Sequence, residues 1–184
     1  QIAPDLKIDT DVWSMFIEFT GNSAVVPLTR NVRNTPQIVK WLETICSVRV
    51  GETSSLGAGA DVEFISQGEL HNYTSSGRIH DIYGEIRSND VVFLYPKEAK
   101  AESEKLLTKL SIASDRGFEV DQFRGLESPV VFVMGLGAVE NLPRLADVLY
   151  RAVSRARSLC FIVGDEELQR ITNKVMRYTR GQNK

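Results

Sequence analysis

Short apolar runs and longer amphipathic stretches alternate along most of the chain. The runs DVVFLY (90–95), PVVFVM (129–134) and LCFIV (159–163) are typical of parallel strands that are covered on both faces. Between them, apolar residues recur every three or four positions, which predicts helices. The predicted strands are 24–28, 62–66, 90–95, 118–123, 129–134 and 159–163, and the predicted helices are 9–19, 36–47, 76–87, 97–110, 142–157 and 166–180.

The alternation of strands and helices predicts the fold class. Parallel strands joined through helices have right-handed crossovers, which lay the helices against the sheet. We therefore expect an α/β protein with a mostly parallel sheet and helices on both faces. A chain of 184 residues fits one domain, and GETSSLGAGA (51–60) is expected to be a flexible internal loop.

Composition and charge narrow the class of protein. Hydrophobic residues make up 42% and charged residues 25% of the chain, as in ordinary globular proteins, and no apolar run approaches the ~18 residues of a membrane span. The first residues lack a signal peptide, so we expect an intracellular protein that does not bind membranes. A net charge of −2 means that any contact with nucleic acid must come from a local basic patch. Cys46 and Cys160 have no metal-ligand spacing and are expected in the core.

Three stretches carry residues suited to binding an anion. They are LTRNVRNT (28–35), DQFRGLESP (121–129) and the arginine-rich stretch LYRAVSRAR (149–157). Open parallel sheets bind ligands at the carboxyl ends of their strands, so we expect the loops after the strands to form the site. The hypothesis requires that arginines from separate stretches converge at one edge of the sheet.

Each stretch also has a structural explanation. Arg30 and Arg33 could be solvated loop residues. Arg124 and Glu127 could form a surface ion pair worth ~0 to 1 kcal/mol. Arginines in the last turn of a helix stabilise its negative dipole end by about 0.3 to 1 kcal/mol each, which would account for Arg155 and Arg157.

Other motifs give weaker indications. Gly135-x-Gly137 follows a predicted strand as in a dinucleotide fingerprint, but Glu140 stands where the third glycine belongs, and its carboxylate would repel a pyrophosphate. The two histidines have no catalytic partner at a motif spacing, and HExxH and CxxC do not occur. Hydrolase triads and metal sites are therefore not indicated, and the histidines are expected at the surface.

The order of the three stretches resembles that of known helicase motifs. QFRGLESPVVF (122–132) and LYRAVSRAR (149–157) resemble motifs V and VI of superfamily 1 helicases, whose forms are close to K-x-K-G-L-E-x-x-V-V and L-Y-V-A-x-T-R-A-R. LTRNVRNT (28–35) is similar to motif IV, with its usual core N-Y-R-S, and QIAP (1–4) to the tail of motif III. The resemblance covers nearly the whole chain and implies the second, C-terminal RecA-like domain, a three-layer sandwich spanning 1–184.

The resemblance implies a role for particular residues. In the family, the nucleotide lies between two RecA-like domains, and the second domain directs arginines at the γ-phosphate; these correspond to Arg33 and Arg155. Such an arginine is worth ~10³ to 10⁵ in rate, and a rigid helix end would position it well. The remaining nucleotide contacts implied are Gly125, Glu127 as acceptor of a ribose hydroxyl, Gln1 and Arg157. Gln122 and Arg124 correspond to positions that approach the nucleic-acid strand, where they would contact phosphate.

Two departures from the family pattern bear on nucleotide binding. Val32 stands where motif IV has a tyrosine that stacks on adenine, and G-x-x-x-x-G-K-[ST] does not occur. ATP with Mg²⁺ is the implied cofactor, with Mg²⁺ held by the first RecA-like domain of the same parent chain, and the chain alone is expected to be inactive. We expect the intact protein to translocate along single-stranded DNA or RNA. The alternative is a helicase-like, nucleotide-dependent switch or scaffold domain without unwinding activity.

Overall fold

The computed structural model describes residues 30–47, 52–53, 59–75 and 86–182. The helix expected at 9–19, the strand at 24–28 and Gln1 lie outside these ranges. The strands are β1 (Arg30–Asn31), β2 (Glu52–Thr53), β3 (Glu63–Ile65), β4 (Val91–Tyr95), β5 (Gly117–Glu119), β6 (Ser128–Val133) and β7 (Ala156–Val163). The α-helices are α1 (Pro36–Cys46), α2 (Gln67–Ser75), α3 (Lys100–Lys109), α4 (Leu142–Val153) and α5 (Glu166–Gln182), and 3-10 turns occupy Ser88–Asp90, Lys97–Ala99, Ser114–Arg116 and Leu136–Ala138.

A five-stranded parallel sheet forms the centre of the fold. Its strand order is β3-β7-β6-β4-β5, and every neighbouring pair in it is parallel. The continuous apolar runs predicted this arrangement, because strands buried on both faces have no polar alternation. The α/β architecture expected from the sequence is confirmed.

Helices cover both faces of the sheet. Alternate residues of the central strands, such as Val131 and Ile162, pack against α1, α4 and α5. The opposite set packs against α2 and α3 and includes a row of stacked rings: Phe93 on Phe132 with centroids 5.1 Å apart, and Phe132 on Phe161 at 4.8 Å. Tyr73 of α2 extends the row, with its ring centroid 5.0 Å from that of Phe161. Both cysteines are buried in the core as expected.

A second, two-stranded sheet joins β1 to β2 in parallel, with Asn31 opposite Thr53. Glu52 and Thr53 therefore form a strand inside the stretch 51–60, which we expected to be a loop throughout. The flexibility of that stretch stays a prediction. None of the helices described is long and apolar enough to cross a membrane.

Several predicted boundaries were wrong for identifiable reasons. Helix α2 was missed, because its nine residues QGELHNYTS form only a weakly amphipathic pattern. Most of the helix predicted at 76–87 lies outside the described residues, and its last two positions, Ile86 and Arg87, are not helical. The strand predicted at 118–123 ends at Glu119, where the backbone turns with Gln122 N donating to Glu119 O at 2.9 Å.

Gly135, which lies two residues after the end of β6, allows a test of the packing at the carboxyl edge of the sheet. Its φ is +70°, and an added Cβ would lie 2.5 Å from Ala99 Cβ and 3.0 Å from Ser103 Oγ. We predict that Gly135→Ala lowers the free energy of unfolding by about 1 to 3 kcal/mol, measured by urea denaturation. Gly137→Ala is the matched control, because a Cβ there meets nothing within 4 Å, and its effect should stay within ~0.5 kcal/mol. Equal effects of the two substitutions would contradict this account.

Candidate functional site

The amino ends of β6 and β7 form the base of the candidate site. Ser128 pairs with Ala156, whereas Val130 pairs with Leu159, so β7 carries one extra residue at this point. Such a bulge breaks the alternation of faces and re-aims side chains. Arg157 and Ser158 are consequently both exposed before β7 enters the core at Leu159. The bulge thus directs Arg157 to the solvent at the start of a strand that is otherwise largely buried.

Arg155 lies in a tight turn between α4 and β7. The helix ends at Val153, and Arg155 N donates to Ala152 O at 3.1 Å. On the other side, Ser128 N donates to Arg155 O at 3.0 Å. The expectation that a helix end carries Arg155 and Arg157 is therefore wrong: Arg155 is in the turn and Arg157 in β7. Ala156 begins the extended backbone of β7, which is incompatible with helical dihedral angles, so the helix cannot continue.

Two buried asparagines shape the loop that carries Arg33. Asn31 Oδ1 accepts hydrogen bonds from Arg33 N at 2.9 Å and from Asn34 N at 3.1 Å. Asn31 Nδ2 donates to Asn34 Oδ1 at 2.9 Å. The side chain of Asn34 then reaches the turn around Arg155, donating to Ser154 O at 3.0 Å and to Ala156 O at 2.6 Å. The loop after β1 is thus attached to the segment between α4 and β7.

The charged side chains converge around Glu127. Arg33 Nε lies 2.9 Å from Glu127 Oε2, and Arg157 Nε lies 3.7 Å from Glu127 Oε1. Arg155 Nη1 is 3.5 Å from Leu126 O, the residue before Glu127. The structure therefore brings Arg33, Arg155, Arg157 and Glu127 together, and it pairs Glu127 with Arg33 and Arg157 and not with Arg124. We call these four residues the arginine cluster.

The electrostatics of Arg155 reflect this crowding. Burial lowers the pKa of its guanidinium, and the charges of Arg33, Arg124 and Arg151 lower it further, against an opposing effect of Tyr150. Burial raises the pKa of the Tyr150 hydroxyl, whereas Arg155 and Arg33 both act to lower it. Among the residues that the structure describes, no carboxylate lies within 4 Å of the Arg155 guanidinium. An anion at this point would stabilise the charged form of Arg155.

The location of the cluster corrects the sequence-based expectation. Arg155 and Glu127 lie at the amino ends of β7 and β6, whereas we expected the loops that follow strands. Only Arg33 follows a strand, and that strand, β1, belongs to the small sheet. The reason is topological: the segment 120–127 starts at the carboxyl end of β5 and must return to the opposite edge to enter β6.

Ion pairs attach the start of the segment 120–127 to α4. Asp121 lies 3.2 Å from Arg144 Nη2 and 2.8 Å from Arg151 Nη1. Both arginines also pair with Asp147, at 3.0 and 2.7 Å. Asp121 is thereby attached to two arginines that lie about two turns apart on the helix that leads to Arg155.

The other residues proposed from motif V lie on this segment. Gln122 and Arg124 are exposed, and Gln122 Nε2 donates to Glu119 Oε1 at 3.4 Å. Gly125 has a φ of +80°, and an added Cβ would meet nothing within 4 Å. Glycine is therefore favoured there by the backbone, and the space beside it is open. Gln1 cannot be placed relative to these residues, because it lies outside the described ranges.

Two large apolar side chains flank the arginine cluster. Val32 is 68% exposed and Leu126 is 54% exposed. Val32 precedes Arg33 and Leu126 precedes Glu127, and the Arg33–Glu127 ion pair links the two segments. The surface at this end of the described molecule is therefore both basic and partly apolar.

The rival sites receive no support from the described geometry. Gly135 and Gly137 lie in and beside a 3-10 turn at the carboxyl end of β6, far from the arginine cluster along the strand. His71 is exposed on α2 as expected, and His80 lies outside the described ranges. Within the described ranges, no group of three or more His, Cys, Asp or Glu side chains could hold a metal ion.

Sequence reasoning missed three features of this site: the two asparagines, Tyr150 and the bulge. The adjacent polar pair Arg157-Ser158 before an apolar run was a visible signal for the bulge. The role of Asn34 had no local signal, because its partners are 120 and 122 residues away.

Comparison with known proteins gives a fold relationship. No protein-family model and no curated protein matches the sequence. The C-terminal domain of a possible DNA helicase from Lactobacillus plantarum WCFS1 is similar at 16% identity and a TM-score of 0.55, over 79% of this chain and 96% of that one. Two structures of the PRRSV helicase nsp10, one of them methylated, reach TM-scores of 0.42 and 0.41 at 14% identity. They match 77% of this chain, which spans about a quarter of their length, and these scores are too low to carry an argument.

The chain therefore has a RecA-like α/β fold, as expected from the sequence. It matches the C-terminal domain of the possible DNA helicase over nearly the whole length of that domain. At 16% identity the likeness extends to the fold alone.

Glu127 provides a test of the electrostatics of the cluster. We predict that Glu127→Gln strengthens binding of inorganic tripolyphosphate about fivefold at low ionic strength. The substitution removes a negative charge that lies among three arginines, and two charges 4 Å apart in water interact by about 1 kcal/mol. Isothermal titration calorimetry measures the change.

Glu166→Gln is the matched control, because it removes the same charge from an exposed position at the other end of β7. Its affinity should equal that of the unaltered chain. The gain at Glu127 should also shrink as salt is added; a gain that is independent of salt would contradict the electrostatic cause.

Proposed function

We propose that this chain is the C-terminal, second RecA-like domain of a superfamily 1 ATP-dependent DNA or RNA helicase or translocase. Arg33 and Arg155 act as arginine fingers on the γ-phosphate of ATP bound between this domain and the first RecA-like domain of the parent protein. Closure of the two domains brings both guanidinium groups to the phosphate. The nucleic-acid contacts of the same domain shift as the cleft opens again, which gives stepping along a single strand.

One observation carries this proposal: arginines from segments that are far apart in sequence meet at one point. Arg33 follows β1, Arg155 and Arg157 follow α4, and Glu127 precedes β6, yet the four lie around one another. The transition state of phosphoryl transfer spreads negative charge over three oxygens, so converging guanidinium groups suit it. Burial lowers the pKa of Arg155, and the charges of Arg33, Arg124 and Arg151 lower it further, which supports a site with an excess of positive charge.

The nucleotide fits the side chains that are present. The arginine cluster supplies positive charge for a polyphosphate, and open space beside Gly125 allows close approach of a ligand. Glu127 offers a carboxylate for a ribose hydroxyl, which would replace part of its pairing with Arg33. Mg²⁺ would be held by the first domain, where it neutralises charge on the phosphate oxygens.

Nucleic-acid binding is assigned to the segment 120–127. Gln122 and Arg124 are exposed there, and Asp121 attaches the segment to α4 through Arg144 and Arg151. Because α4 leads into the turn of Arg155, a displacement of the segment by a bound strand reaches the arginine cluster. This connection would couple binding of the nucleic-acid strand to hydrolysis of ATP.

A switch or scaffold domain without unwinding activity is the second candidate. The observation that favours it is Val32, an exposed aliphatic side chain where the resemblance has a ring that stacks on adenine. Without that ring, contacts to the adenine base would be weaker. Nucleotide binding would then regulate assembly of a larger complex and would not support rapid turnover of ATP.

The role of Arg155 is tested in the parent protein that contains both RecA-like domains. We predict that Arg155→Ala lowers the kcat of ATP hydrolysis by a factor of about 10³ or more, with a smaller change in ATP affinity, because the guanidinium acts chiefly on the transition state. Steady-state ATPase kinetics and equilibrium binding of a nucleotide analogue separate the two effects. Arg170→Ala, an exposed arginine of α5 that pairs only within its helix in the described structure, should leave both unchanged. Unchanged turnover in Arg155→Ala would exclude the arginine-finger role.

The two candidate functions differ in their response to nucleic acid. If the domain belongs to a translocase, single-stranded DNA or RNA stimulates the ATPase, and Arg124→Ala weakens the apparent affinity for the strand and reduces its salt dependence, because one phosphate contact is lost. Gln169→Ala, at an exposed position of α5, is the control. Hydrolysis that neither DNA nor RNA stimulates would support the switch and exclude translocation.

A further inference from the structure

We propose that Asn34 is a positioning residue that sets the separation of the Arg33 and Arg155 guanidinium groups and thereby tunes binding of a triphosphate. The inference rests on the proposed function, since it concerns how the two arginines of that site are held relative to each other. It concerns a side chain that is 1% exposed and therefore cannot contact the ligand.

The side chain of Asn34 joins the two arginine-bearing segments directly. Its Nδ2 donates to Ser154 O at 3.0 Å and Ala156 O at 2.6 Å, the carbonyls on either side of Arg155. Carbonyls only accept, so the NH₂ group must face them and the amide orientation is determined. Its Oδ1 meanwhile accepts from Asn31 Nδ2, which belongs to the loop of Arg33. We call this arrangement the asparagine bracket.

Hydrogen bonds from the asparagine bracket and from backbone groups of neighbouring segments restrain the backbone at Arg155 and at the residues on either side of it. Arg155 N donates to Ala152 O, and Arg155 O accepts from Ser128 N. The two flanking carbonyls are taken by Asn34. Arg33 has a matching restraint, because its own N donates to Asn31 Oδ1. Each arginine therefore begins from a fixed backbone position, and the two positions are joined through Asn31 and Asn34.

A neutral bracket suits a site whose function requires unbalanced positive charge. Burial lowers the pKa of Arg155, and repulsion from Arg33, Arg124 and Arg151 lowers it further; like charges repel one another, so the arginine side chains favour moving apart. A second carboxylate in addition to Glu127 would hold them together but would cancel more of the charge that binds an anion. The amide of Asn34 holds the backbones in place without altering the net charge. Preorganisation of this kind reduces the cost of ordering the site when a ligand binds.

The test uses the whole chain and two variants that remove donors in steps. Asn34→Ala removes both donors, and Asn34→Ser keeps one hydroxyl donor; if the alanine variant does not fold, the serine variant carries the same measurements. Val175→Ala, a fully buried position in α5, is the control for a general loss of stability, and thermal melts establish that the two losses are comparable.

A ligand-free measurement reports the separation of the two segments. A nitroxide is attached at Val32→Cys, an exposed position beside Arg33, and its broadening of the Arg155 Nε–H NMR signal is recorded. The native thiols should not react, because both are buried; burial and Asp147 raise the pKa of Cys46 to about 12, and burial raises that of Cys160. We expect strong broadening in the unaltered sequence, less in Asn34→Ser and least in Asn34→Ala.

A second measurement uses inorganic tripolyphosphate as the probe. We expect its affinity to fall roughly tenfold in Asn34→Ala, less in Asn34→Ser and not at all in Val175→Ala, because only the bracket preorganises the arginines. If either the broadening or the affinity is unchanged in Asn34→Ala, or if Val175→Ala loses as much of either, the inference is overturned. If the unaltered chain does not bind tripolyphosphate, the proposed function fails, and the broadening still decides whether Asn34 positions Arg155.

Discussion

The register between the amino ends of β6 and β7 is the constraint on which the rest of the site depends. One extra residue in β7 lets Ser128 pair with Ala156 while the core pairing resumes at Leu159. Ser128 N also donates to Arg155 O, and the extended backbone that begins at Ala156 prevents α4 from continuing. This register also exposes Arg157 and brings Glu127 within reach of both Arg33 and Arg157. A regular register would turn the side chains of this strand end to the other face.

The arginine cluster concentrates like charge that folding alone would disfavour. The lowered pKa of Arg155 records the cost of burial and of repulsion from its neighbours. Glu127 offsets part of that charge, and the buried asparagines hold the backbones through neutral hydrogen bonds. Strained or unbalanced groups that the surrounding structure holds in place are common at functional sites. These features support the proposal that the cluster binds an anion.

Packing in the rest of the fold joins the strands of the main sheet and positions the chain at its carboxyl edge. The stacked rings of Phe93, Phe132 and Phe161 join the three central strands on one face. At the carboxyl edge, Gly135 allows the chain to pass close to Ala99 and Ser103. Asp121, with its ion pairs to α4, connects the segment that leaves this edge to the helix that leads to the arginine cluster.

Local pattern was enough to predict most elements of the described structure. The apolar runs of β4, β6 and β7 and the periodicity of α1, α4 and α5 identify a parallel sheet with two helical layers, because burial on both faces leaves a direct trace in the hydrophobic order. Helix α2 and the end of β5 could not be predicted, because weak amphipathicity and a turn that depends on Glu119 leave no such trace. The candidate arginines were identified by residue type and by resemblance of their motifs.

Their environment was decided by the tertiary structure. The sequence by itself determined that Arg33, Glu127, Arg155 and Arg157 are available in this protein, and that the sheet is parallel. Only the folded chain decided that the four meet at the amino ends of two strands, that a turn and not a helix end carries Arg155, and that Asn34 joins segments 120 residues apart. The physical reason is that periodicity is a local property, whereas strand register and hydrogen bonds between distant segments form only when the whole sheet assembles.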